Sequence, residues 1–127
     1  MTPIARMLLA SGALVMALGV VLGALSSHAT KNAAHPDAPR LLQIAVQYQL
    51  IHGLGLLLIG TLARQAASSW LVAAGVLLIL GILFFCGSLW YLAITNHSMG
   101  AIAPLGGIFF IVGWLALAFW VIQLPTA

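Results

Sequence analysis

The fold is decided by the stretch from Trp70 to Thr95, which reads WLVAAGVLLILGILFFCGSLWYLAIT. It contains no charged side chain. It is also long enough to cross a membrane, because about 20 residues at about 1.5 Å each span a hydrocarbon layer of about 30 Å. Trp70 lies at one end, and Trp90 and Tyr91 lie near the other, as in the aromatic belts of membrane proteins. This pattern predicts a membrane-spanning helix over residues 70–95.

Three more apolar runs flank this stretch, and each is long enough to be a span. Together the four runs predict an all-α membrane protein, a bundle of four transmembrane helices at about residues 4–25, 40–64, 70–95 and 101–124. The connections at residues 65–69 and 96–100 are short, so consecutive helices are antiparallel neighbours. We expect a single transmembrane domain over residues 1–127, with a polar loop at about residues 26–39.

The first run also has features of a signal peptide, since it has a basic start at Arg6 and small residues follow it. However, it is longer than the roughly 7–15 apolar residues that are typical of such peptides. We therefore expect it to remain in the protein as a span.

The composition excludes an ordinary soluble domain. Of the 127 residues, 64% are hydrophobic and only 4% are charged, whereas a soluble domain carries about 25% charged residues. The net charge of +3 comes from scattered single residues, so the chain has no basic patch of the kind that binds nucleic acid. We expect its partners to be the lipid bilayer and other membrane protein subunits or a second copy of itself, and no nucleic acid.

The orientation in the membrane depends on very few charges. Four spans place both termini on the same side. Arg6 and Arg64 would then lie on that side, and Lys31 and Arg40 on the other, so the basic side chains are equal in number. The N-terminal amine adds one positive charge to the side of the termini and favours the cytoplasm for both.

The second apolar run is the least uniform, because it contains polar residues on two faces. At 100° per residue, Tyr48, Gln49 and His52 share one face of a helix, and Gln43 and Gln47 lie on nearly the opposite face. Such residues are costly in a membrane unless they find partners. The first cluster either lines a small polar pocket or makes hydrogen bonds between helices, and we favour the second interpretation. A helix with two polar faces is expected to pack inside the bundle or against a partner.

The histidines and the single acidic residue are the candidate ligands for a metal ion or a haem. His28, His35, Asp37 and His97 would lie at one membrane interface, and imidazole and carboxylate are ligands for zinc or copper. Their spacing matches no compact metal motif, so we expect no metal site. His28 and His52 are also candidate haem ligands, but neither has a partner histidine at a matching depth. We therefore expect no cofactor.

Small residues recur at a spacing of four in the first and last runs. Gly19 is followed by Gly23, and Ala103 by Gly107. In lipid, such pairs allow helix backbones to approach closely. They predict helix packing, either within one molecule or between molecules.

Catalytic chemistry has little support in the sequence. Asp37 is the only acidic residue, which excludes chemistry by paired carboxylates within one chain. No nucleophile, base and acid occur as a set. We expect that the protein is not an enzyme.

Several segments resemble a known family: GALSSHA at residues 23–29, QYQLIHGL at 47–54, GSLWYL at 87–92, GAIAPLGG at 100–107, and Gly113 with Trp114. In order and spacing they are similar to the YgdD/YwdK family of small bacterial membrane proteins, catalogued as a domain of unknown function. The resemblance implies four helices in the bacterial inner (plasma) membrane, and it implies no activity. Leu25 and Ser26 stand where the family usually has an aromatic residue and a glycine, and Cys86 stands where it usually has a serine.

Three functional hypotheses remain. The first is a non-enzymatic accessory, assembly or scaffolding subunit of a larger membrane complex. The alternative is an oligomeric small-solute transporter or channel, with the second helix lining the pathway. The third is an enzyme or cofactor protein that uses His28 and His52.

Overall fold

The computed structural model of the chain describes residues 1–29, 31 and 34–127. In this part of the chain, four helices are long and apolar enough to cross a membrane, which confirms the predicted all-α membrane fold. They are α1 (Pro3–Ala29), α2 (Ala38–Gln65), α3 (Ser69–Thr95) and α4 (Ile102–Ile122).

The end of α1 differs from the prediction, which placed residues 26–29 in the polar loop. The Ser26 hydroxyl donates a 2.7 Å hydrogen bond to the carbonyl of Gly23, so its polar group is satisfied by the helix itself. A serine is therefore no barrier to helix at this point. The rest of the predicted loop includes Thr30, Asn32 and Ala33, which lie outside the described residues.

The helices are arranged with α2 and α3 in the middle. The closest packing is of α1 along α2 and of α4 along α3, and α2 beside α3 joins the two pairs. In the most apolar part of each helix, 44% of the residues of α2 and of α3 are buried, against 17% in α1 and 28% in α4. The largest fully buried side chains all belong to the two central helices: Leu42, Leu56, Ile59, Leu71 and Leu78.

Glycines allow α1 and α2 to approach each other closely. A Cβ atom on Gly12 would lie 3.0 Å from the backbone nitrogen of Leu57, and one on Gly60 would lie 3.1 Å from the backbone nitrogen of Leu9. Larger residues would force the two backbones apart, so the small residues set the distance between these helices.

Helix α3 contains a π-helical turn over Ile82–Cys86. Opposite this turn, a Cβ atom on Gly106 of α4 would clash with the backbone nitrogen of Phe85. The wider turn thus lies where α4 comes closest to α3. Such turns often occur at functional sites, and no pattern in the sequence predicted this one.

Candidate functional site

His52 lies halfway along α2 and is 5% exposed. Its Nδ1 is 2.6 Å from the carbonyl oxygen of Tyr48. Because a carbonyl only accepts hydrogen bonds, Nδ1 carries the hydrogen and donates it. The imidazole stacks on the ring of Phe110 in α4, with 3.5 Å between the ring centroids and 13° between the planes. His52 therefore acts as a contact between α2 and α4.

Gln49 connects α2 to α1. Its side chain is 6% exposed, and its Nε2 donates a 3.1 Å hydrogen bond to the carbonyl oxygen of Val15. This is a bond between two spans, of the kind that holds membrane helices together.

Tyr48 completes what we call the inner cluster, which consists of Tyr48, Gln49 and His52. The Tyr48 ring lies 4.7 Å from the ring of Phe85 in α3 and 6.1 Å from that of Phe110 in α4, measured between centroids. The inner cluster thus touches all three of the other helices. This arrangement joins α2 to the rest of the bundle through the Gln49 hydrogen bond and the ring contacts of Tyr48 and His52.

The opposite side of α2 forms a second surface, which we call the outer stripe. Its members are all exposed and follow one face of α2 over most of its length: Gln43, Gln47, Ile51, Leu54, Leu58 and Thr61. From Gln47 onwards they alternate at spacings of four and three residues, as along the contact line of a coiled coil. The stripe is therefore a continuous face of a central helix, and no other helix of the described residues covers it.

The glutamines of the outer stripe are not satisfied within the molecule. Within the described residues, neither Gln43 nor Gln47 makes a side-chain hydrogen bond. The Thr61 hydroxyl, in contrast, donates to the carbonyl of Leu57 at 2.8 Å. The two glutamines border a groove of about 490 Å³ between α1 and α2, whose walls include Gly23 and Ser26.

The depth of these glutamines follows from the length of the helix. At about 1.5 Å per residue, the 28 residues of α2 exceed the hydrocarbon thickness of about 30 Å. With Arg40 and Arg64 near the two interfaces, His52 lies at the middle of the membrane. Gln47 is then about 7.5 Å from the middle, well inside the hydrocarbon, and Gln43 is near its edge.

The metal-ligand candidates lie at the end of α1, just before α2 and just after α3. His28 is exposed at the last turn of α1. The backbone N–H of Asp37 donates to Nδ1 of His35 at 3.0 Å, and the backbone N–H of His97 donates to Thr95. Across residues 1–29, 31 and 34–127, no group of three or more histidine, cysteine, aspartate or glutamate residues could hold a metal ion.

The two histidines considered as haem ligands lie at different positions in the bundle. His28 ends α1, which is antiparallel to α2, whereas His52 lies at the middle of α2. The two imidazoles are therefore at different levels of the membrane. One face of the His52 ring is occupied by Phe110.

Of the predicted packing residues, the two glycines of α1 lie close to α2, whereas Gly107 of α4 has more space around it. A Cβ atom on Gly19 would be 3.2 Å from Cγ of Leu50, and one on Gly23 would be 3.3 Å from Cγ1 of Val46, so both glycines face α2. In α4, the nearest atom to a Cβ on Gly107 would be 3.9 Å away, and Ala103 is half-buried.

Several glycines of close approach were not predicted from the sequence. In α4 the tight contact is made by Gly106, the neighbour of Gly107. Along the pair α1 and α2, Gly12, Gly53 and Gly60 make close contacts that were not predicted; Gly12 lies seven residues before the predicted Gly19, and Gly53 seven residues before Gly60. Seven residues are two helical turns, so this spacing was the signal that could have identified them.

Comparisons with known proteins agree on one family. The model of the family described as Protein of unknown function (DUF423) matches residues 22–107. A UPF0382 membrane protein of Staphylococcus epidermidis is 41% identical over 109 residues, which cover 84% of this chain and 87% of the relative. The UPF0382 membrane protein YwdK of Bacillus subtilis is 37% identical over 108 residues, covering 84% and 88%. A UPF0382 membrane protein of Haemophilus influenzae is 32% identical over 108 residues, covering 79% and 81%. No solved structure matches the chain.

Proposed function

This chain belongs to the family described as Protein of unknown function (DUF423), and we propose that it is a non-enzymatic accessory, assembly or scaffolding subunit of a larger complex in the bacterial inner membrane. The observation that carries the proposal is the outer stripe. It is an exposed face of a central helix, and it holds glutamines that have no hydrogen-bond partner in the described part of the chain. A second span at this face would supply partners for them.

The inner cluster supports the non-enzymatic part of the proposal. His52 stacks on Phe110 and Gln49 bonds to Val15, so the polar groups of this face take part in internal contacts. Asp37 is the only acidic residue of the sequence, and it lies at the start of α2, away from the inner cluster. A histidine without a neighbouring carboxylate or nucleophile lacks the usual arrangement for acid–base catalysis.

The chain is proposed to have both termini on the cytoplasmic side. Four antiparallel spans put them on one side, and the N-terminal amine adds a positive charge there. Labelling of a single cysteine placed after Leu124 with a membrane-impermeant reagent should succeed only in inverted vesicles. Labelling in intact cells would reverse the orientation.

Native mass spectrometry of the protein, extracted gently from its own membrane, tests the proposed function. We expect a stoichiometric complex with other membrane subunits. The double variant Gln43→Leu with Gln47→Leu should lose the span that binds the outer stripe, whereas Ile108→Ala, at an exposed position of α4, should retain it. A wild-type protein that is free of other subunits would contradict the proposal.

The second candidate is an oligomeric small-solute transporter or channel. It is favoured by one observation, which is that the unpaired glutamines lie on a single exposed face of α2. A ring of copies with this face inward would surround a polar path. In that case proteoliposomes should show solute flux that Gln47→Leu abolishes, and the absence of flux for a panel of small solutes would exclude this function.

A further inference from the structure

We infer that the outer stripe of α2 binds a second copy of this chain, in a dimer whose two-fold axis runs along the membrane normal. This inference rests on the proposed role of the outer stripe as a contact surface and places a second copy there, so the other subunits of the complex would bind the dimer at its remaining surface. The two α2 helices would pack side by side and parallel. Gln47 would face Gln47 of the other copy.

The first argument is the depth of an unpaired amide. Gln47 is exposed, has no side-chain partner in the described ranges, and lies within the hydrocarbon layer. The bilayer contains no water at that depth that could satisfy the amide. A protein surface that carries polar groups is therefore a better neighbour for this face than lipid is.

The second argument is that glutamine is complementary to itself. Its side-chain amide has a carbonyl acceptor and two N–H donors, so two such groups can exchange hydrogen bonds. A two-fold axis along the membrane normal brings the same residue of both copies to the same depth. Gln43 lies one turn above Gln47 and would form a second pair about 6 Å away along the axis.

The third argument is the spacing of the apolar residues on the same face. Ile51, Leu54, Leu58 and Thr61 continue the line from Gln47 at intervals of four, three, four and three residues, and the three apolar residues are about half exposed, at 47%, 56% and 48%. This is the spacing by which parallel helices interlock side chains. A single polar residue on such a line sets the register and the number of helices, because a shifted register would leave it unpaired.

The fourth argument is that the neighbouring surface allows close approach. The groove beside the glutamines is lined by small or apolar residues besides the two amides: Gly23, Ser26, Val46 and Leu50. It contains no charged side chain, so two identical faces meet without electrostatic repulsion. The oxygen of Ser26, which already donates to Gly23, still has a free capacity to accept a hydrogen bond from a glutamine of the other copy.

Cysteine crosslinking of the full-length protein in native membranes tests the inference. The background is Cys86→Ala, which removes the single native cysteine. Ile51→Cys, Leu54→Cys and Leu58→Cys should each give a dimer of this chain on mild oxidation. Ile108→Cys and Ile111→Cys, which are 54% and 61% exposed on α4, are the controls and should give none.

Each outcome of the crosslinking has one meaning. A dimer of this chain at the three α2 positions alone supports the inference. Crosslinking of the outer stripe to a different protein overturns the inference but supports the proposed function. A dimer that forms only through the α4 controls overturns the inference. The absence of any crosslinked product also overturns it, and a free monomer in native mass spectrometry would then overturn the proposed function as well.

A second measurement distinguishes the contribution of the Gln47 amide to association from that of the shape of the outer stripe. The dimer association constant is measured by energy transfer between labelled copies in detergent micelles. Gln47→Leu should weaken association about tenfold, because leucine cannot form the hydrogen bonds that the two amides would exchange. Gln47→Asn keeps the amide and should retain most of the association. Equal association of the leucine variant and the wild type would overturn the inference.

Discussion

The two faces of α2 carry the same amide group in opposite circumstances. Gln49, on the inner face, is 6% exposed and donates to the carbonyl of Val15. Gln47, on the outer face, is exposed and has no such partner in the part of the chain that the structure describes. The chemistry of the side chain is identical, so its role depends on which backbone or side chain lies opposite. One amide joins two helices of the bundle, and the other lies at the surface.

The inner face also differs from the outer face in the size of its residues. Gly53 and Gly55 lie beside the inner cluster, where side chains of neighbouring helices fill the space above them. The outer face carries isoleucine and leucine instead. Substitutions on the inner face should therefore change the stability of a single molecule, and substitutions on the outer face should change association.

The largest effect is expected from a bulky residue on the inner face. A Cβ atom on Gly55 would lie 2.9 Å from Cδ1 of Leu78 and 3.0 Å from Cη2 of Trp114, so Gly55→Leu overfills the contact between helices. We expect a loss of about 3 kcal/mol in the free energy of unfolding, measured by thermal unfolding in detergent. Gly87→Leu is the matched control, because among the described residues no atom beyond its chain neighbours and its own helix backbone lies within 4 Å of a Cβ there. Equal losses in both variants would show that the inner face is not specially packed.

The next effect concerns the ring of His52. His52→Ala removes the stack on Phe110 and the hydrogen bond to Tyr48. It should cost roughly 2–4 kcal/mol, as do other cavities in a packed core. His52→Phe keeps a stacked ring and should lose less than half of that. A His52→Ala protein that is as stable as wild type in the same unfolding assay would indicate that the imidazole serves a purpose other than packing.

A smaller effect is expected at Gln49. Gln49→Leu removes one hydrogen bond between α1 and α2, worth about 0.6 kcal/mol on average between spans. The cost stays small because the Val15 carbonyl keeps its bond within α1. Gln49→Leu should lower the unfolding temperature slightly, and Gln43→Leu should not lower it. If that outer variant lost as much stability as Gln49→Leu, the two faces would not differ in the way described.

The smallest effect on the single molecule is expected at Gln47. In dilute detergent, where the chain is monomeric, Gln47→Leu should leave the unfolding temperature unchanged or raise it slightly, since leucine is the more favourable residue in an apolar medium. The same substitution should weaken association. A clear loss of stability in the monomer would mean that Gln47 has a partner within its own chain.

The fold could be predicted to within a few residues at most helix ends. The third helix was expected at 70–95 and runs from Ser69 to Thr95, and the second was expected at 40–64 and runs from Ala38 to Gln65. Length and hydrophobicity suffice here, because a bilayer accepts only helices long enough to cross it and requires their backbones to be satisfied internally. The largest difference is at the end of α1. There the expectation depended on side-chain polarity, which the helix itself can satisfy.

The candidate site could be predicted in part. Helical periodicity placed Gln49 and His52 on one face and Gln43 and Gln47 on the other, because the angle between residues is a local property of the helix. It could not identify Val15 as the acceptor for Gln49, since that contact joins residues 34 positions apart. Nor could it choose Gly106 over Gly107, because the choice depends on the rotation of α4 against α3.

The sequence by itself determined that this protein lies in a membrane, that it has four spans, and which residues share a face of each helix. These properties follow from local composition and from the regular geometry of the α-helix. Only the tertiary structure decided which polar face is used inside the bundle and which is left exposed. That choice depends on how four apolar helices of similar composition rotate and pack against one another, and in lipid it is made by small differences in shape and hydrogen bonding.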